Sequence, residues 1–512
     1  MKSERVPDCD ALDSTVHERF EQVAAQARNA SRLAIHAQDA QLSYGELSAR
    51  VRATACGIVA AGVRPEERVG IMAEPTAQLV CALLGVMGAA AVPCPMEQNL
   101  SHVELRRRIN AAGIRTLVLD RLRYHALREA DEFQDVRMLP IDLLAATKTV
   151  PLPAAAPDSG ALALFTSGST GASKAVLLTH RNLLANAYAV AEATELGADD
   201  RLLNFMPLYH TNSLCNQLLA PLLVGATVIL MPRFRVEAVE HWLREHRPTY
   251  FTGVPTIYFR LLQHPLSADA LRSLRFARCG SAPISPTLHE QVEQQLGVPL
   301  IVSYGCTEAT CTTTINPPRQ RRIGTVGKVI RYQEVGFRTA GGDVSTAPGV
   351  VGEVCIRGET LMKALLPGPA PDSEGYPIRD GWLRTGDIGC LDEDGYLTLT
   401  GKAKNIIVRG GENLSPELIE DALLAHPEIL KCCVVGVPDE EYGEVPVAYV
   451  VLTRRGRRDG IELAAADRVR ARLSAANVPK FFQAVDHLPE NSVGKIDRLR
   501  LADMARQNLS GA

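Results

Sequence analysis

The sequence lacks any Cys-x-x-Cys or Cys-x-x-His pair, and its 12 cysteines follow no regular spacing. Neither a disulfide framework nor a zinc cluster is indicated, and reduced thiols, as in a cytoplasmic protein, are the default expectation. Neither charge is in excess: 55 Lys and Arg stand against 58 Asp and Glu, a formal net charge of -3. Such a balance gives no reason to expect nucleic acid or an anionic membrane as partner. The amino-terminal stretch "MKSERVPDCDALDS" has no apolar core, so no export and a cytoplasmic location are expected. The longest uncharged apolar run, Leu79 to Met96, is broken by Gly85, Gly88, Pro93 and Pro95. It reads as a buried helix, a turn and a strand, and no membrane span is expected. Internal repeats and low-complexity tracts are absent as well.

What is present is a long, well-mixed soluble composition. At 512 residues the chain exceeds one compact core, so two or more domains are expected. Helix-like segments alternate with short apolar runs such as "RVGIMAE", "TLVLD", "ATVILMP" and "EVCIRG", the pattern of an α/β protein. Ser43 precedes a helical pattern as an N-cap, and "CCVVGV" around Cys432 and Cys433 reads as a buried strand. Pro and Gly crowd the stretch from Leu365 to Gly381, an exposed loop. Charged residues from Lys402 to Lys404 lie between two strand-like runs and mark a boundary, giving domains 1–402 and 403–512. In the second, Ser415, Pro416 and Glu417 form a helix start.

The segment "ALALFTSGSTGASKAVLLTHRN" joins two apolar runs through hydroxyls, glycines and a lysine. Lys174 comes three residues after Gly171 and a second apolar run follows it, so this is a poor Walker loop. Thr166, Ser167, Ser169 and Thr170 supply hydroxyl donors and Gly168 and Gly171 permit close backbone approach. The stretch reads as a mobile hairpin over a polyphosphate, with an ordinary solvated turn as the bland alternative.

"FTSGSTGASKAVLLTHRN" resembles the phosphate-loop signature of the adenylate-forming superfamily: acyl-CoA synthetases, firefly luciferases and adenylation domains of peptide synthetases. Further resemblances follow in the family's order: "MPLYHTNSL", "CGSAPIS", "SYGCTEA", "GWLRTGDIG", "GKAKNIIVRGGENLSPELIE" and "LPENSVGKIDR". One short motif is weak; seven in order are strong. The resemblance implies a large N-terminal domain of packed mixed sheets flanked by helices and a small mobile α+β C-terminal domain. It implies that a carboxylate attacks the α-phosphate of ATP, and that a thiol, coenzyme A, then attacks the acyl-adenylate.

Under that resemblance Lys495 and Thr307 stabilise charge on the α-phosphoryl oxygens, and Lys174 with the loop hydroxyls holds the outer phosphates. Glu308 holds Mg²⁺, a cation suited to carboxylate and phosphate oxygens. Asp387 accepts the ribose hydroxyls, Tyr304 with Gly305 offers a face to adenine, and Gly280, Ser281, Ala282 and Pro283 form the adenine-side loop. His210 borders the acyl pocket, with Asn212, Ser213, Thr252, Gly253 and Arg260 as lining. Lys404 is the hinge, and Gly410 and Gly411 line the approach of the thiol arm. Singly, each residue has a plainer reading as surface charge, turn or core residue; their shared order favours the functional one. Two departures stand out. Lys402 replaces the usual arginine and loses its bidentate fork, and Pro489-Glu490-Asn491 replaces Pro-Lys-Thr.

No acidic residue occurs between Pro207 and Pro221, which disfavours an amino acid as substrate. Arg260 resembles the arginine that anchors the second carboxylate in malonyl-CoA synthetases, and it equally suits a surface helix. The few aromatic residues set no preference between aryl, alkyl and polycyclic acids. The leading reading is a soluble acyl-CoA synthetase, with a homodimer left open. The alternatives are delivery to a separate carrier protein's phosphopantetheine, a non-catalytic nucleotide- or acyl-binding protein, and a P-loop ATPase, which would release phosphate instead of pyrophosphate.

Overall fold

The computed structural model describes residues 9–26, 28–167, 173–339, 341–369, 373, 376–402, 405, 407–409, 412–439, 442–453, 460–490 and 496–510. The chain divides into two compact units. The first comprises Met1–Ile284, Leu288–Val335 and Cys355–Arg384, and the second Ser285–Thr287, Gly336–Val354 and Thr385–Ala512. The second unit thus takes residues 336–354 and 385–402 in addition to the chain beyond 402.

In the first unit six parallel strands form the centre of a nine-stranded sheet: β1 (Leu33–His36), β2 (Arg201–Asn204), β3 (Thr227–Leu230), β4 (Tyr250–Gly253), β5 (Phe276–Cys279) and β6 (Leu300–Tyr304). Their spatial order is β6-β5-β4-β2-β3-β1, with short antiparallel strands at both edges. Burial on both faces is what parallel strands need, and each face has its own core. Leu202, Tyr250, Phe276 and Ile301 enter one apolar cluster, whereas Leu203, Phe251, Ala277 and Leu300 enter another.

On the first of those faces the pattern changes two residues further along each strand. Leu202 gives way to Asn204, Tyr250 to Thr252, Phe276 to Arg278 and Ile301 to Ser303. Since residues i and i+2 share a face, four polar side chains gather at the carboxyl ends of four neighbouring strands. That end of a parallel sheet is where α/β proteins bind ligands.

A four-stranded parallel sheet (Val92–Pro95, Arg68–Met72, Thr116–Leu119 and Arg137–Pro140) and a three-stranded antiparallel one also belong to this unit. The latter holds the hairpin Gly160–Ser167 and Ser173–Thr179. A strand follows the hydroxyl-rich loop, in agreement with the poor Walker match. The chain then enters helix His180–Ala193 through a capping box of Thr179 and Asn182. The run from Leu79 is a buried helix, Ala77–Gly88, followed by the strand, and no described helix is long and apolar enough to cross a membrane. Ser43 caps Tyr44–Ala60 in a capping box with Glu46.

The second unit contains a five-stranded sheet of Glu412–Leu414, Ile407–Arg409, Gly443–Leu452, Ile429–Asp439 and Phe481–Ala484. Cys432 and Cys433 lie buried in the fourth of these, as the sequence predicts. Ser415 caps helix Pro416–Leu424 by accepting the Leu418 N–H, with proline in its first turn. Both units mix helices with sheets, so the chain is α/β as expected.

Candidate active site

The chain leaves β2 through the Met206 to His210 loop and enters a wide π-type helical turn, Asn212–Leu219. Such turns recur at functional sites because they re-aim side chains. Ser213, fully buried, donates to the Met206 carbonyl at 2.7 Å and meets Asn204 Oδ1 at 3.2 Å, which fixes the loop. Its hydroxyl therefore positions the backbone. His210 is exposed and lies against Tyr209, with ring centroids 4.7 Å apart. The next residue, Thr211, brings its hydroxyl within 2.8 Å of Thr307 Oγ1. A residue absent from the sequence reading thus tethers the "TNS" segment to the "CTEA" segment.

Thr307 and Glu308 lie in a short 3-10 turn after β6. Glu308 is half-buried, and among the described residues nothing pairs with its carboxylate. Its backbone carbonyl accepts the Met362 N–H at 2.8 Å, which anchors the turn. Gly305 permits this turn geometrically: a Cβ there would sit 1.9 Å from the Cys311 carbonyl oxygen. Thr310 and Cys311 carry positive φ angles of 52° and 86°, uncommon for non-glycine residues. Tyr304 ends β6 half-buried, and its carbonyl accepts the Thr313 N–H at 2.8 Å.

The "CGSAPIS" loop begins where β5 ends. Ser281 holds a left-handed conformation, φ 67°, and its hydroxyl receives Asn212 Nδ2 at 3.4 Å. Ala282 and Pro283 are exposed, and a Cβ on Gly280 would come 3.0 Å from Ser303 Oγ and 3.6 Å from Asn212 Nδ2. Behind Asn212 runs a buried amide chain. Asn216 donates to Asn212 Oδ1 at 3.1 Å and to Thr312 Oγ1 at 3.0 Å, while Asn186 donates to Asn216 at 2.9 Å and accepts the Thr312 N–H at 3.1 Å. Arg278 joins this group through Thr312 Oγ1 at 2.8 Å and Ser303 Oγ at 3.2 Å.

Thr252 lies beside Arg278 in the β4–β5 register, fully buried, with a hydroxyl that has no hydrogen-bond partner. Gly253 serves packing: a Cβ there would meet Ile257 and Tyr258 at 3.1 Å. Arg260 is exposed on helix Pro255–Leu262, whose buried residues Ile257, Tyr258 and Leu261 belong to the core on the other face of the sheet. The structure therefore joins Thr211 to Thr307 and Asn212 to Ser281, places Thr252 beside Arg278, and leaves Arg260 outside this group.

Thr166 and Lys174 face each other across the hairpin register, with Lys174 half-buried. Gly168, Ser169, Thr170 and Gly171 lie outside the described residues, as do Lys404, Gly410, Gly411 and Lys495, and of Ser167 only the backbone is described. In the second unit Asp387 and Lys402 are register partners on antiparallel strands and form an ion pair. The aspartate side chain is 13% exposed and the lysine 48%, so the pair keeps one side open to water. The Asp387 N–H also donates to Thr385 Oγ1 at 3.1 Å. The described cysteines are free, and burial pushes the Cys81, Cys94 and Cys433 thiols up to about 12, so none of these three is an activated nucleophile.

Thr211, Asn216 and Arg278 escaped the sequence reading. Arg278 had a visible signal, a charge inside the apolar run "RFARCG" with the same-face spacing to Gly280. Asn216 had none, because apart from Asn212 its partners come from two distant segments, at Asn186 and at Cys311–Thr312.

Comparison with known proteins identifies the family. Residues 20–366 match the AMP-binding enzyme family and residues 418–495 the AMP-binding enzyme C-terminal domain. The chain is 36% identical to a sulfoacetate–CoA ligase of Cupriavidus necator, over 91% of this chain and 92% of that protein. It is 35% identical to a feruloyl-CoA synthase of Amycolatopsis, over 89% and 92%, and 32% identical to an oxalate–CoA ligase of Arabidopsis thaliana, over 89% and 92%. Among solved structures, ATP-bound MatB from Rhodopseudomonas palustris superposes with a TM-score of 0.86 at 27% identity, covering 96% of this chain and 99% of that one. The o-succinylbenzoate CoA synthetase of Bacillus subtilis with its acyl-adenylate gives 0.82 at 28% identity, covering 94% and 97%. The chain belongs to the AMP-binding enzyme family, the adenylate-forming ligases that use ATP to join a carboxylic acid to coenzyme A.

Proposed function

We propose that the Thr211–Thr307 contact beside Glu308 is the adenylation centre of this acid–CoA ligase. The observation that carries this reading is the 2.8 Å tether, which fixes a hydroxyl donor next to a carboxylate that no described residue pairs with. Negative charge grows on the α-phosphoryl oxygens as the acid attacks, and a donor already held in place needs no reorganisation at that moment. Asn212 and Ser281 orient the incoming carboxylate, while Thr166, Ser167 and Lys174, with Gly168, Ser169, Thr170 and Gly171, hold the outer phosphates. Glu308 would hold Mg²⁺, whose charge lowers the electrostatic barrier between carboxylate and phosphate; an oxygen donor of this kind suits the ion.

Other roles rest on the motifs alone: ribose for Asp387, nucleotide contact for Lys402, Tyr304, Gly305, Gly280, Ala282 and Pro283, and the acyl border for His210. So do the adenylation role of Lys495, the hinge at Lys404, the thiol approach at Gly410 and Gly411, and a domain boundary at 402/403. The acceptor is coenzyme A, with a carrier phosphopantetheine as the second choice, and the location is cytoplasmic. The relatives' acids differ in kind, so their names do not choose one for this chain.

ATP–pyrophosphate exchange across a panel of carboxylic acids, with and without coenzyme A, tests the reading. Acid-dependent exchange, with thioester formed only when coenzyme A is present, is expected. Glu308→Gln lowers exchange by about 100-fold or more, the usual size for a lost charge-stabilising group. Lys495→Ala abolishes adenylate formation yet leaves thioester formation from supplied acyl-adenylate; equal loss of both halves contradicts a two-state cycle. Phosphate released in place of pyrophosphate would overturn the ligase reading.

A further inference from the structure

Arg278 is 3% exposed at the carboxyl end of β5. Its Nε donates to Ser303 Oγ at 3.2 Å and its Nη2 to Thr312 Oγ1 at 2.8 Å, and among the described residues no carboxylate pairs with it. The ionisable groups that face it are Cys311, Tyr250 and Tyr258, all of them raised by burial and therefore neutral. A guanidinium stays protonated at any physiological pH, and a charge out of water is stable only when an opposite charge or full hydrogen bonding compensates it. Two hydroxyls use two of five N–H donors. Beside it the Thr252 hydroxyl, fully buried, has no partner either.

These two groups lie on the face of the sheet that carries the Asn212–Leu219 turn's core, with Arg278 in the same-face position two residues before Gly280. Along a strand that step is about 7 Å. Asn212, which contacts Ser281 at the mouth, is linked inward to Arg278 through Asn216 and Thr312. An acid that presents its carboxylate to Thr307 and extends inward along this chain of side chains would bring its far end to the guanidinium.

We infer that Arg278, with Thr252 beside it, binds a second anionic group on the substrate, and that the enzyme activates short acids bearing a distal carboxylate or sulfonate. The inference rests on the ligase reading and names its substrate class. The guanidinium's planar fork suits either oxyanion, and the Thr252 hydroxyl supplies one more donor. Arg260, exposed on the other side of the sheet, takes no part.

The test measures kcat/KM for matched pairs of acids of graded length, one member ending in carboxylate or sulfonate and the other in methyl. For wild type the anionic member is favoured by about 100-fold or more, as expected when a site's polar groups would otherwise stay unpaired. Arg278→Met loses that factor for the anionic acids and leaves the methyl-ended acids within a few-fold or improved; Arg278→Lys is intermediate. A wild-type preference for the methyl-ended acids overturns the inference and leaves the ligase reading intact. A folded Arg278→Met that lowers both members equally makes Arg278 structural and likewise overturns it. Exchange with no acid at all sinks the ligase reading and this inference together. The wild-type comparison decides the matter even where Arg278→Met does not fold.

Discussion

In the second unit Arg498 meets Glu420 at 2.8 Å and Glu417 at 3.7 Å and donates to the Val434 carbonyl at 2.7 Å. In the first unit Arg278 meets two hydroxyls. The contrast runs against exposure, since the Arg498 side chain keeps 29% of its surface in water and Arg278 is 3% exposed. The arginine with better access to solvent has two carboxylates, and the one without access has none. A folding requirement alone would distribute counter-charges the other way, because desolvation is costliest where burial is deepest. Arg498 is therefore part of the scaffold, tying the Arg498–Ser510 helix to Pro416–Leu424 and Ile429–Asp439, and Arg278 is a site held ready for a charge that arrives with the substrate.

The largest stability effect is expected on the paired side. Glu420→Ala, compared with wild type at pH 8 where the Glu420 carboxyl is ionised, leaves Arg498 with only the more distant Glu417 and costs about 3 kcal/mol in urea unfolding, the size seen when one partner of a buried pair is removed. A cost near zero would erase the distinction. Next comes a pH effect. Burial pushes the Glu420 carboxyl from its ordinary 4.5 up to about 7, against the attraction of Arg498 and the Val434 N–H. The folded state then keeps a proton that the unfolded chain releases, so this group's stabilisation is full below pH 4.5. It falls as pH rises to about 7 and is flat above. The difference between wild type and Glu420→Gln should change by about 3 kcal/mol across that window; an unchanged difference would show that Arg498 keeps the carboxylate ionised throughout.

Arg278→Met should cost less, within about 1 kcal/mol of wild type, because a buried charge replaced by an apolar side chain of similar length is often neutral. A loss as large as that of Glu420→Ala would make both arginines structural. Smallest is Lys402→Ala, which breaks the half-exposed pair with Asp387 and should shift stability by less than about 1 kcal/mol. Its larger effect is expected on the KM for ATP, which steady-state kinetics with varied nucleotide would read.

Much of the site was legible because it is written in contiguous segments. Ser43 and Ser415 announce helix starts through contacts three residues away, and both cap as their local pattern requires. "SYGCTEA" and "CGSAPIS" likewise carry their turn geometry with them, including the Gly305 that no side chain can replace. Ser213 and Arg260 were read as pocket lining from their positions beside motif residues. The fold gives the Ser213 hydroxyl to Asn204 and Met206 and places Arg260 on an exposed helix face.

The sequence by itself determined the alternation of helix and strand, the helix caps and the order of motifs that identifies the family, since these depend on interactions over a few residues. Only the tertiary structure decided which arginine is taken out of water and what surrounds it. Arg278 acquires its environment from residues 252, 303 and 312, brought together by parallel strands whose connections run through helices. The desolvation that makes its charge significant exists only once those strands and the Asn212–Leu219 turn have closed over it.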